Sequence, residues 1–280
     1  MRIDTNLHVI KKLTQKQQSI VDNEIFPNFV KAGAGTGKTE VVVQKILKLL
    51  QGGKATLDQF AIITFTNKAT NEMKERLIDR LYMSYLKDSS NEKLRRQIEI
   101  SNILDISTIH SFCEGIIRKF GMNINIPTNF TISSFKYEID EIVASILNEY
   151  ASNLIFKDIQ LYRIKDYIKR FYNENEGRGI VIPKDALSKL KVTGKGDFWN
   201  EFRKLFVEIY LKCYDEIESM KRERNVLTQN DLIKLSARLL QDKYVAKSIS
   251  SKYRYLFIDE FQDTSIDQFN LVKAFIDNGV

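Results

Sequence analysis

Residues Ala32 to Thr39 read Ala-Gly-Ala-Gly-Thr-Gly-Lys-Thr, with Gly33, Ala34, Gly35, Thr36, Gly37 and Lys38 inside the run. Alternate glycines let the backbone turn so that successive N–H groups face one anion. Lys38 would place a point charge on the outer phosphates of a nucleotide. The Thr39 hydroxyl would ligate Mg²⁺. The run matches the G-x-x-x-x-G-K-[ST] phosphate loop except at its first position, where Ala32 stands for glycine. Far along the chain the apolar run Tyr255-Leu256-Phe257-Ile258 ends in Asp259 and Glu260. An acid at the end of a buried strand can reach a metal ion held by such a loop. A second acid can orient or deprotonate a water that attacks a γ-phosphate. An Asp-Glu pair alone also suits a helix N-terminus. Paired with the glycine loop, it reads as a triphosphate site.

These residues work only if secondary structure brings them together. A phosphate loop needs a strand before it and a helix after it. Asn28 to Ala32 is predicted as the strand and Val41 to Leu50 as an amphipathic helix, its dipole directed at the loop. Further strands are predicted over Phe60 to Phe65, Leu104 to Thr108 and Tyr255 to Asp259. Helices are predicted over Leu13 to Val21, Lys68 to Leu86, Ser111 to Phe120 and Ile266 to Asp277. Short apolar strands alternating with helices imply an α/β fold, a parallel sheet flanked by helices. Ligands of such sheets lie beyond the carboxyl ends of the strands, where Ala32 and Asp259 would converge.

The middle of the chain differs. Tyr137 to Tyr150, Ile159 to Tyr172 and Phe198 to Arg224 have helical periodicity, with loops at Gly177–Gly179 and Thr193–Gly196. Residues 119–225 therefore read as a mostly helical inserted subdomain. Residues 1–118 and 226–280 read as the nucleotide-binding α/β domain around it.

Composition bounds the rest. The 280 residues are 43% hydrophobic with three prolines, which suits packed domains rather than linkers. Two cysteines make no disulfide framework, and no apolar run reaches a membrane span. A reduced cytoplasmic setting without membrane contact is the expectation. The net charge of +7 is spread along the chain, which permits a nucleic-acid partner without marking its site.

Four stretches, in order, carry a family resemblance. Leu13-Thr14-Gln15-Lys16-Gln17 is similar to a Q motif, Thr64 to Ala69 to motif Ia, Thr108-Ile109-His110-Ser111-Phe112 to the next DNA-contacting motif, and Asp259 to Thr264 to motif II. The chain thus resembles the N-terminal half of superfamily 1 DNA helicases of the UvrD/Rep type, from about Leu13 to about Gln268. The resemblance implies a RecA-like P-loop NTPase fold, ATP and Mg²⁺ as cofactors, and 3′→5′ translocation on single-stranded DNA. It implies that Gln17 reads the adenine edge and that Gln262 relays nucleotide state. It implies DNA contacts from Phe65, Thr66, Asn67, Lys68, Thr108 and His110. From the residues alone, Phe65 offers a stacking ring and its three successors offer donors to phosphate; the ring also suits core packing, and a lone histidine suits a structural role.

Two departures stand out. The family has an arginine after the loop threonine, stacking on adenine; Glu40 stands here. The family's motif III strand and second motor domain, which supplies catalytic arginines, are expected from missing C-terminal sequence or from a partner chain. An alternative is a non-hydrolysing nucleotide and DNA binding module that needs another chain to complete the motor. A small kinase or signalling GTPase is a third reading, against which the acidic motif and the long helical insertion count.

Overall fold

The computed structural model describes residues 13–25, 27–33, 35–150, 164–170, 172, 197–261 and 264–279, the side chains of 197–199 excepted. In chain order the elements are α1 (Gln15–Asp22), α2 (Lys38–Gln51), β1 (Phe60–Thr64), α3 (Asn67–Lys87), α4 (Glu92–Glu99), β2 (Asp105–Thr108) and α5 (Ile109–Phe120). They continue as β3 (Thr131–Ile132), α6 (Lys136–Glu149), α7 (Asp197–Glu223), β4 (Val226–Leu227), α8 (Gln229–Leu239), α9 (Lys243–Lys252), β5 (Tyr255–Ile258) and α10 (Ile266–Asp277). The predicted loops at 177–179 and 193–196 lie outside the described residues, as does most of the predicted helix before Ile164.

Two compact units emerge. One holds the described residues within 1–109, 247–263 and 275–280; the other holds those within 110–246 and 264–274. Sequence patterning groups α5 and residues 226–246 with the sheet, whereas here they pack with the helical unit.

The first unit is built on a parallel sheet in the order β2-β1-β5. All five residues of β1 are buried, because helices cover a parallel sheet on both faces. Its Phe60 and Ile62 join Val43, Ile46 and Leu50 of α2 and Met73, Leu77 and Leu81 of α3 in one core. Spacings of three and four residues within each helix put these side chains on one stripe. Each such burial stabilises by about 1.5–3 kcal/mol. Thr66 caps α3, its hydroxyl accepting from the Ala69 N–H at 3.1 Å.

One expected strand is corrected. Asn28 to Ala32 belongs to no helix or strand, and Phe29 is 71% exposed. The apolar core of the run is only Phe29 and Val30, and Pro27 before it has no N–H for a ladder. Phe29 packs instead on the ring of Phe261, with centroids 5.9 Å apart.

Helix α1 is pinned to α2 by a lysine that no sequence pattern marks. Lys45 is buried on α2, and its ammonium donates to the carbonyls of Ile20, Val21 and Asn23 at the end of α1. Burial pushes its pKa down, the chief cause of the shift. Lys48 pairs with Asp22 at 2.6 Å beside it. Lys45→Met is expected to destabilise by about 2 kcal/mol in urea unfolding, because carbonyls lose a charged donor in a covered position.

The second unit is mainly helical. Ile139, Val143 and Ile146 of α6, Ile164 and Ile168, and Ile209, Cys213 and Ile217 of α7 make its core. A two-residue parallel ladder, Thr131↔Val226 and Ile132↔Leu227, joins β3 to β4. Cys113 and Cys213 are both buried free thiols, each pushed up to about 12 chiefly by desolvation, so they are structural. Among the described residues no helix is long and apolar enough to cross a membrane.

Candidate functional site

The parallel register sets the site. Thr64 of β1 lies beside Thr108 of β2, and Ile63 lies beside Ile258 of β5. The Asp259 N–H donates to the Ile63 carbonyl at 2.9 Å, which carries the ladder one residue further. Asp259, Phe65 and Thr108 therefore share the carboxyl edge of one sheet, the edge at which ligands of α/β sheets bind.

The glycine loop meets that edge through its lysine. The Lys38 ammonium lies 2.8 Å from a Glu260 carboxylate oxygen, although 222 residues separate the two. Lys38 opens α2, and Gly37 before it adopts φ 83°. Gly35 has φ 73°. Both conformations are left-handed and suit glycine. A Cβ on Gly37 would also stand 3.1 Å from the Gln17 amide nitrogen. Gly37, the N-cap of α2, brings no side-chain cap, and the positive end of the helix dipole faces the loop. The Thr36 hydroxyl donates to the Gly33 carbonyl at 2.7 Å and closes the loop on itself.

Gln17 holds the loop from the side. Its amide nitrogen donates to the Thr36 carbonyl at 2.9 Å, while its oxygen accepts from the Thr14 N–H at 2.8 Å. Both polar ends of Gln17 are thus engaged within the protein.

Glu260 has φ 52°, an uncommon conformation for a residue with a side chain. Its N–H donates to the Asp259 carboxylate at 3.0 Å. Strain of this kind, of order 1–3 kcal/mol, is typical of sites whose geometry is over-determined by function. Thr39 and Asp259 offer the hard oxygens Mg²⁺ prefers. That ion takes only one or two protein oxygens when phosphates and waters complete its shell, so this donor set fits a magnesium nucleotide.

The expected nucleic-acid residues divide between the units. At the end of β1, Phe65 is half-buried, and Thr66, Asn67 and Lys68 are exposed where α3 begins. Thr108, half-buried, stands beside them at the end of β2. His110 opens the second unit in the first turn of α5. Its ring is half-buried, and desolvation holds its pKa below the usual value. Ala32 and Gly33 are described beside the loop, whereas Ala34 and Gln262 lie outside the described residues.

Comparison with known proteins points to a family. The family model for the UvrD/REP helicase N-terminal domain matches residues 13–279. ATP-dependent DNA helicase Rep of Escherichia coli is 31% identical over 95% of this chain and 34% of its own length. The probable DNA helicase II homolog of Mycoplasma pneumoniae is 27% identical over 95% of this chain and 33% of its own. An ATP-dependent helicase/nuclease subunit of Natranaerobius thermophilus is 33% identical over 53% of this chain and 12% of its own. The chain thus spans about a third or less of the length of these relatives.

Proposed function

Because the chain belongs to the UvrD/REP helicase N-terminal domain family, we propose that it is the ATP- and single-stranded-DNA-binding half of an ATP-dependent 3′→5′ DNA translocase. One observation carries this reading: the loop lysine and the motif II glutamate are joined at 2.8 Å on the sheet edge that presents Asp259 and Phe65 to Lys68.

In this reading the N–H groups at the start of α2 cradle the phosphates, and Lys38 exchanges Glu260 for the outer ones. Thr39 and Asp259 would hold Mg²⁺, which when bound would supply charge neutralisation to the phosphates. Glu260, released from Lys38, orients the attacking water and accepts its proton. Gln17 holds the loop through Thr36 and, when nucleotide binds, exchanges that contact for the adenine edge. Gln262 relays nucleotide state. Phe65 stacks on a base, and Thr66, Asn67, Lys68, Thr108 and His110 contact the strand. The α/β part within 1–118 and 226–280 binds nucleotide, the helical part 119–225 is its insertion, and the protein acts in the cytoplasm. The second motor domain comes from further sequence or a partner chain, and its arginines supply most of the turnover.

Phosphate release by the purified chain, with and without a single-stranded oligonucleotide, tests the reading. Slow release, raised severalfold by the oligonucleotide, is expected. Nucleotide binding with no release under either condition would favour the non-hydrolysing module. Binding of neither ligand would overturn both.

A further inference from the structure

We infer that Glu40 and Arg80 form a positioning pair that couples the nucleotide loop to the nucleic-acid turn. The inference rests on the proposed function and goes beyond it. Glu40 follows Thr39 in the first turn of α2. Its carboxylate accepts from the Arg80 guanidinium of α3 at 3.3 Å and from the Gln44 amide at 2.8 Å. Side-chain exposures of 10% for Arg80 and 17% for Glu40 shelter the pair from solvent. By contrast the Lys38–Glu260 pair has exposures of 20% and 40%.

Val43, Ile46 and Leu50 of α2 and Met73, Leu77 and Leu81 of α3 share one apolar core beside this pair. Apolar burial is non-directional and tolerates sliding of one helix on another. A sheltered ion pair has a preferred geometry, and setting register is the best-attested use of such pairs. Here the register joins two functional ends. The α2 end carries Lys38 and Thr39. The α3 end begins at Asn67 behind the Thr66 cap. That cap is itself fixed to β1: the Thr64 and Thr70 hydroxyls lie 2.7 Å apart, and the Thr64 hydroxyl donates to the Thr66 carbonyl at 3.2 Å. Helix α3 is one rod of 21 residues, so a shift at Arg80 moves its N-terminus with it. Neither residue touches nucleotide or DNA in this account; both act through the helices they tie.

The test is a coupling measurement. The Kd of a non-hydrolysable ATP analogue is measured with and without a saturating single-stranded oligonucleotide, and the oligonucleotide's Kd with and without analogue. The proteins are the wild type, Glu40→Ala, Glu40→Gln, Arg80→Ala and the double variant Glu40→Arg with Arg80→Glu. Coupling between sites is commonly about 5–150-fold. The expected result is coupling within that range in the wild type, within twofold of none in the single variants, and restored in the charge-swapped double. Circular dichroism and thermal melting identify the variants that stay folded. Glu40→Gln keeps the side chain's shape but removes the charge that makes the ion pair, so it carries the test should the alanine variants unfold. A merely structural pair would lower the melting temperature and leave coupling intact. Folded single variants with wild-type coupling would overturn the proposal. So would a double variant no better than the singles, or a wild type that binds both ligands without coupling. A wild type that binds neither ligand would overturn the proposed function, and this inference with it.

Discussion

Lys38→Ala is expected to weaken binding of a magnesium nucleotide at least about 100-fold, measured by fluorescent-analogue titration. Lys38 begins α2 and its ammonium lies on the sheet edge within reach of the motif II acids. A charge-assisted bond contributes about 1.5–3 kcal/mol, and a lysine between two phosphates makes more than one. About 2.7 kcal/mol already corresponds to two decades of affinity. The helix N-terminus and the glycine N–H groups remain in the variant, so weak residual binding is expected. The fold should persist, because Lys38 is partly exposed and lies outside the core. Unchanged affinity in a folded variant would remove the loop from the nucleotide site.

Glu260→Gln should separate binding from turnover. A positioned general base contributes about 10²–10⁴-fold, so phosphate release should fall by that factor. Nucleotide affinity should hold or rise. Glu260 now neutralises Lys38, and a triphosphate must displace it. At exposures of 20% and 40% the pair is worth about 1 kcal/mol at most, so affinity should rise no more than about fivefold. Asp259→Asn should behave differently, lowering affinity for the magnesium nucleotide because the metal loses an anionic ligand. Wild-type phosphate release by Glu260→Gln would strike Glu260 from its role.

Much of this site can be read from the linear chain because its chemistry is local. Gly35, Gly37, Lys38 and Thr39 form one contiguous loop, and left-handed φ at both glycines is what such a loop needs. β1 and β5 are short apolar runs followed by polar residues, as strands of a covered parallel sheet look in sequence, whereas β2, Asp105 to Thr108, has one apolar residue and is marked mainly by Leu104 before it. The remainder depends on contacts across long separations. The motifs join the loop to the acids after β5, but nothing near Lys38 announces its direct ion pair with Glu260, and nothing near Glu40 announces Arg80. Glu40 reads in isolation as a departure from the family pattern; in the fold it is a partner for a guanidinium. Lys45 looks like a surface lysine until the end of α1 packs over it. Helix α4 is amphipathic but only eight residues long, with Leu94 in the core and Ile98 packed against it, too short a stretch for the helical spacing to stand out in the sequence. The β3–β4 ladder is two residues long, too short for any alternation to show. The expected strand at Asn28 to Ala32 failed for the opposite reason. Its apolar pair imitates a core strand, yet Phe29 finds its partner in the Phe261 ring.

The central claim is that one magnesium nucleotide is shared by the glycine loop and the acids that follow β5. A crystal structure of the chain with a non-hydrolysable ATP analogue and Mg²⁺ tests it most directly. Phosphate oxygens on the Lys38 ammonium, with Thr39 and Asp259 on the same metal ion and Glu260 turned away from Lys38, are the predicted result. An analogue bound elsewhere, with the Lys38–Glu260 pair still intact, would contradict it.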